Sequence, residues 1–516
     1  YGTIIPEEQL KEVEGENAKN YKGLSFTHYE FKKAGELGIP RAVFIKSEES
    51  KEVEEFREEI EKSVSPTYFS NLSELREKVE DFLKEKIPEW VFEGKLKIPG
   101  FYGRKNELSE LYEKITNEKQ RCSIVNIFGI GGIGKTALAE ALLLLLSIKG
   151  YNVWEVRSDE GRETTFSVPE KYKVGVLKFP SIMGLMQLLG VKAKRSIEDS
   201  LLNWLESNKV VLFLDDFQKL EDNFKDFIDK AYKRLENGKI ITASRGKANI
   251  SCHFSKEVKS LEEEDCKKMI EDELKKASVE QRKEYVETIY EKTKGHPLAV
   301  KMLVPLVSRH KLSLDELKNF GSIRDVQDED EVREFISRTF LENVKDEKDR
   351  SVLKHLSVLK DGFDYNILRA VFRELNDKRY KWEDGKLLRE FLSQLMPHII
   401  SSADDRKFNF SHDMVKEAVY SQIENVKEVR ERILKILIER EKKTPIDEEN
   451  LFVYEETLYQ AEELMKVGGE KKELLGIAHE SSGMLSDYGY YKGIPLMSYE
   501  YGKKALNYAE KLEEWL

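Results

Sequence analysis

A chain of 516 residues is too long for one hydrophobic core, and its length predicts about three or more domains. Apolar residues at 40% and aromatics at 10% suffice for packed interiors and exclude global disorder. Charged residues reach 35% with Lys and Glu interspersed, which predicts solvated helix faces, and the net charge of −11 argues against bulk nucleic-acid binding through a basic surface.

The Lys/Glu excess is also typical of proteins from heat-loving organisms. Cys122, Cys252 and Cys266 form no CxxC and no paired framework, which fits a cytoplasmic protein and argues against a structural zinc site. No apolar run approaches the ~20 residues of a membrane span, so no membrane partner is expected. The opening YGTIIPEEQL resembles neither a signal peptide nor a natural start, so both ends are expected to be cut.

In chain order, segment 1–90 holds a helical stretch (THYEFKKAGELG), a turn at Gly38-Ile39-Pro40 and an apolar strand (RAVFIK). Two charged amphipathic helices follow, the second at NLSELREKVEDFLKEKI. Helix, turn, strand is the back half of an α/β unit, and its front half is expected upstream of Tyr1. Pro88, Gly94, Pro99, Gly100 and Gly103 mark a linker. Across 91–260 the runs CSIVNIF, NVWEVR, KVVLFLDDF and GKIITASR alternate with helical patterns. Short apolar strands between helices predict a parallel sheet buried on both faces. From Leu261 the pattern is helical, apart from a hairpin at HIISSADDRKFNFSH. From Pro445, Tyr, Ala and Leu recur at helical spacing. The expected fold is multidomain α/β plus α.

The first of those strands leads into GIGGIGKT, which satisfies G-x-x-x-x-G-K-[ST] in the strand-to-helix context that pattern needs. Gly129, Gly131, Gly132, Ile133, Gly134, Lys135, Thr136 and Ala137 are the expected phosphate-binding residues. Glycines let backbone N–H groups curl around phosphates, and the helix N-terminus adds its positive dipole end. Lys135 is a point charge for the β- and γ-phosphates, and Thr136 supplies a hydroxyl for Mg²⁺. In VVLFLDDFQ, Asp215 is expected to hold the metal through water, and Asp216 to orient or deprotonate the attacking water. Arg245, after KIITAS, is placed to reach a γ-phosphate.

In that order, GIGGIGKT, LFLDDF, TASR and GHPLAV resemble the STAND class of ATPases, which includes the NB-ARC proteins. The resemblance implies a P-loop NTPase core (91–260), a helical lid (261–325), a winged helix (326–445) and a C-terminal helical repeat (446–516). FYGRKNEL, with Arg104, resembles the segment that packs beside the adenine in that class. Gly295-His296-Pro297-Leu298 resembles the motif whose proline touches the adenine, so Pro297 is expected there. His296 departs from the usual Leu and makes the wall more polar. His412-Asp413 sit where the family carries a His-Asp pair whose histidine meets the β-phosphate of ADP. Read from the residues alone, His412 before a helix is an N-terminal capping residue. ELLGIAHESSGMLSDYGYYKGIPLMSYEYGKKALNYAEKL resembles a tetratricopeptide-like pair, so more repeats are expected beyond Leu516.

The N-terminal segment resembles a TIR-like or nucleoside deoxyribosyltransferase-like domain. On that likeness Ser25, Thr27 and Glu30 face a pocket with Ala34 against the sheet, and Glu30 cleaves an NAD-like substrate. A Glu on a charged helix also reads as a solvated residue, and an interaction role stands beside catalysis. The resemblance as a whole implies a slow ATP hydrolase with ATP/ADP and Mg²⁺. A trigger ligand, such as a phage protein, would act at the C-terminal helices. Self-oligomerisation would then activate the N-terminal effector in prokaryotic antiviral defence. A constitutive motor or a transcriptional regulator are the alternatives.

Overall fold

The computed structural model describes residues 5–39, 41–47, 54–157, 169–177, 181–192, 196–277, 283–309, 312–344, 346–360, 362–375, 391–392, 399–401, 407–410, 412–468, 471–492 and 494–514. Pro40, residues 1–4 and the tip of the expected hairpin lie outside them.

Near the N-terminus, helices Glu7–Glu14 and Phe26–Glu36 precede strand β1 (Phe44–Lys46), helix Glu54–Ser63 and strand β2 (Thr67–Phe69). The two strands pair in parallel. A long helix, Leu72–Glu93, then runs through Pro88 and stops at Gly94 in the left-handed conformation. Pro88 therefore stands inside a helix and does not open the linker. Buried Val91, with Ile87 and Phe92 partly buried, packs on the apolar core that covers one face of the central sheet, which offsets the hydrogen bond a proline removes.

The central sheet has six parallel strands: β3 (Ile124–Phe128), β4 (Asn152–Arg157), β5 (Tyr172–Val176), β6 (Val210–Leu214), β7 (Lys239–Ser244) and β8 (Phe254–Glu257). Their order is β5-β4-β6-β7-β3-β8. Alternation along each strand divides the core in two. Val125, Ile127, Val211, Phe213, Ile241 and Ala243 join the helices Lys105–Thr116 and Lys135–Lys149 on one face. Ile124, Val210, Leu212, Leu214 and Ile240 join Ile197–Ser207 and Asn223–Arg234 on the other. This is the fold of a P-loop NTPase core. The four expected strands form its middle. The edge strands β5 and β8 were not legible, because KVG and SKE within them break the apolar pattern.

Beyond the sheet the chain is mostly helical. A single continuous core joins residues from Leu261 to Val453, across the expected boundary at 325/326. Within it, β9 (Ile399–Ser401) and β10 (Phe408–Phe410) pair antiparallel, and Phe363 extends them by one bridge. Three helices, Leu451–Gly468, Lys472–Tyr491 and Pro495–Glu513, pack around a separate apolar cluster. No helix among the described residues is long and apolar enough to cross a membrane.

Candidate nucleotide site

β3 is buried except at its last residue, and it delivers the chain to Gly129. The turn reverses into helix Lys135–Lys149, with Gly134 before it at φ 99°. Gly129 has φ 152°, and a Cβ there would lie 2.6 Å from the Val258 carbonyl oxygen, so only glycine fits. Such a turn at a helix N-terminus is a ready-made anion site. Lys135 is buried, and its Nζ donates to the carbonyl oxygens of Gly129 and Ile130, each at 2.9 Å. Burial pulls its pKa down to about 8, against the raising influence of Asp216 and Asp215. Ile133 is fully buried under the turn, and Ala137 is half-buried in the first helical turn.

Thr136 Oγ1 donates to Asp215, whose two oxygens are 3.0 and 3.2 Å away. The N–H of Asp215 continues the sheet by donating to Val156 at 3.1 Å, which fixes it at the end of β6. A hydroxyl and a carboxylate side by side suit Mg²⁺, an ion that keeps waters and takes phosphate oxygens. Asp216 has φ 47°, and its carboxylate lies 3.0 Å from Lys219 Nζ and accepts from Gln218 at 3.1 Å. Lys219 also bonds Asp413, from a segment far along the chain. Burial would lower the Lys219 pKa, but the Asp413 and Asp216 carboxylates hold it above the usual lysine value.

Three other segments close over the loop. Arg104 Nη1 donates to the Gly134 carbonyl at 3.2 Å, and Nη2 donates to Ile133 at 2.6 Å and Lys259 at 2.8 Å. Its Nε is buried without a hydrogen-bond partner, and burial lowers the guanidinium pKa to about 10. His296, fully buried, donates from Nε2 to the Gly131 carbonyl at 3.0 Å, and its Nδ1 accepts the Ala299 N–H at 3.2 Å. Both bonds need a neutral ring protonated at Nε2, and burial keeps it so by pulling the pKa to about 3. Pro297, half-buried, opens the next helix, Pro297–Arg309. Leu298 comes so near that a Cβ on Gly132 would lie 2.7 Å from it.

The last contacts come from helix Asp413–Tyr420. A Cβ on Gly131 would lie 2.7 Å from Met414 Sδ. His412 caps this helix, its Nδ1 accepting the Met414 N–H at 3.1 Å, so its proton sits on Nε2 as a donor. The capping expectation thus describes the Nδ1 contact. Arg245, just after β7, is engaged by Glu329 and Glu417. Those two acids, Lys219 and Met414 carried no signal in the sequence, where each reads as an ordinary helix residue.

The N-terminal candidates do not share one face. Ser25 is buried as a helix cap, accepting the His28 N–H at 3.2 Å. Thr27 and Glu30 are exposed, and Ala34 is half-buried. Positions three apart share a helix face, which turns Ser25 and His28 inward together and sends Thr27 and Glu30 outward. His28 is buried here, 2.7 Å from Glu59 and stacked on Phe56.

No protein-family model and no curated protein matches this chain. Among solved structures, it is similar to a signal-transduction ATPase with numerous domains and a tetratricopeptide-repeat sensor from Pyrococcus horikoshii. That likeness has 18% identity and a TM-score of 0.44, and covers 82% of this chain and 59% of that one. The chain thus spans 59% of that protein's length. A Walker-type ATPase of Pyrococcus abyssi matches at 13% identity and TM-score 0.31, over 62% of this chain and 96% of the other. The Holliday-junction branch-migration motor RuvB of Thermotoga maritima matches at 17% and 0.28, over 60% and 93%. Function has to be read from the residues of the site itself.

Proposed function

We propose that this chain is a STAND-type switch ATPase in which bound ADP holds a closed arrangement of domains and exchange for ATP opens it. The observation that carries this reading is the closure of one loop by distant segments. Gly131, Gly132 and Gly134 are crowded by Met414, by Leu298 and His296, and by Arg104. Binding energy at such a site is spent on a conformation, since a nucleotide contacted from several domains favours the state in which they meet.

ATP and ADP would be held by the Gly129–Thr136 loop, with Arg104 and Pro297 on the base side and His412 toward the β-phosphate. Mg²⁺ at Thr136 and Asp215 would offset phosphate charge. For hydrolysis, Asp216 would take a proton from a water whose oxygen bonds to the γ-phosphorus as the bridging bond to the β-phosphate breaks. Slow turnover is supported by the engagement of Asp216 with Lys219, which neutralises the base while Asp413 is docked. The C-terminal helices would take the trigger, and opening would let copies of the chain associate and bring N-terminal effectors together. The exposed position of Glu30 favours an interaction role for that region over NAD-like cleavage.

The test is to denature purified protein and identify the released nucleotide. Stoichiometric ADP, lost in Lys135→Ala, is expected. An empty site with fast, untriggered ATP turnover would overturn the switch in favour of a motor.

A further inference from the structure

Arg245 leaves β7 at the nucleotide end of the sheet, yet its guanidinium goes to carboxylates of other segments. Nη1 donates to Glu329 Oε1 at 3.0 Å and to Glu417 Oε2 at 2.9 Å, while Nη2 donates to Glu417 Oε1. Glu417 therefore grips the fork on two prongs, the geometry by which arginine binds a phosphate. Arg333 lies against the same acids, with Nη2 3.5 Å from Glu329 and Nε 3.8 Å from Glu417. Two arginines thus face two glutamates, and Asp330 also lies 2.8 Å from Arg333 Nη1. The cluster also stands at the mouth of the loop, because a Cβ on Gly131 would lie 3.7 Å from Glu329 Oε1.

We propose that Glu417 and Glu329 stand in for a γ-phosphate in this closed arrangement, so that the site selects a nucleoside diphosphate over a triphosphate. This rests on the nucleotide reading given above. A third phosphoryl group would need Arg245 as its partner and would be set beside two carboxylates, where like charges repel in a partly desolvated site. It can keep Arg245 only by breaking the hold of Glu417. That contact is also what ties helix Asp413–Tyr420 to β7, so choice of nucleotide and docking of the helix are one event. Glu329 and Glu417 are thus specificity residues: they act on the nucleotide through its terminal charge and through Arg245.

Equilibrium binding of ADP and of a non-hydrolysable triphosphate analogue, both with Mg²⁺, tests this on the full chain. The wild type is expected to prefer the diphosphate by about tenfold or more, since one such charge-assisted contact is worth that much. Glu417→Gln and Glu329→Gln, which keep shape and lose charge, should each shift the ratio toward triphosphate by roughly tenfold. Adding Arg245→Ala to Glu417→Gln should erase that shift. A ratio unmoved in both glutamine variants overturns the proposal, because the acids then only dock the helices. ADP binding that survives Lys135→Ala would instead sink the assignment of the site. ADP binding that depends on Lys135 alongside an unmoved ratio sinks the specificity role alone.

Discussion

Lys135 is the residue on which the site's chemistry turns, and its environment makes a quantitative demand. Burial has pulled its pKa to about 8. Below that value the amine is charged and ready for a phosphate; above it, the empty site must take up a proton before it binds one. A bound phosphate raises the pKa again, so affinity is linked to proton uptake. ADP affinity is therefore expected to fall by up to about tenfold per pH unit above about pH 8, with one proton taken up on binding. Calorimetric titration in buffers of different ionisation enthalpy measures both quantities, and a pH-independent affinity with no proton uptake contradicts the assignment. The motif puts Lys135 and Thr136 at the start of the helix that follows β3 and Asp215 just after β6, and the sheet brings those two ends together. It could not reveal the depressed pKa, which comes from burial in the folded molecule.

At the scale of elements, the joint between helix Val426–Glu441 and the C-terminal helices is polar and buried. Glu456 accepts the Lys360 N–H at 2.9 and 2.8 Å, and Gln460 accepts from Arg430 at 2.7 Å while donating to Val358 at 2.8 Å. Such satisfied networks fix one docking geometry. Glu441, at the end of its helix, is the exception in charge. Burial pushes its carboxyl up to about 7, against the hydrogen-bonding pull of Thr457 and with the push of Glu480. A raised folded-state value means that the folded protein holds the proton more tightly than the unfolded chain. Its contribution is fully present below the unfolded value of 4.5 and is lost as pH rises through about 7. Glu441→Gln should flatten the decline of the thermal midpoint between about pH 5 and about pH 8. An unchanged slope would locate the pH dependence elsewhere.

For the whole molecule, the contacts of His412 measure how far nucleotide and domain closure are coupled. Its two ring nitrogens can be separated by substitution. His412→Ala removes both the cap on Met414 and the Nε2 donor; His412→Asn keeps a capping oxygen and loses only the donor. Both variants are expected to release ADP faster by roughly tenfold to a hundredfold, the worth of a hydrogen bond to a charged group. Stopped-flow displacement of a fluorescent ADP gives the rate. Faster release from the alanine variant alone would mean that the histidine serves its helix and not the phosphate.

The sequence by itself determined the local chemistry. An apolar strand, a GxxxxGKT turn and a helix in direct succession have the pattern of a phosphate loop, and the wholly apolar run Val210–Leu214 suits a sheet covered on both faces, where the structure places it. The hairpin before His412 was likewise legible, because β-rich runs flank a polar turn. Other features belonged to tertiary structure alone. Pro88 is helical because its neighbours have a core to pack on, and Glu30 faces solvent because helical periodicity puts it opposite His28. The hold of Glu417 on Arg245, and of Lys219 on Asp413, links charges that the chain separates by more than any local pattern spans. A charge on a helix looks the same in sequence whether it meets water or a partner, and only the packing of the domains decides which.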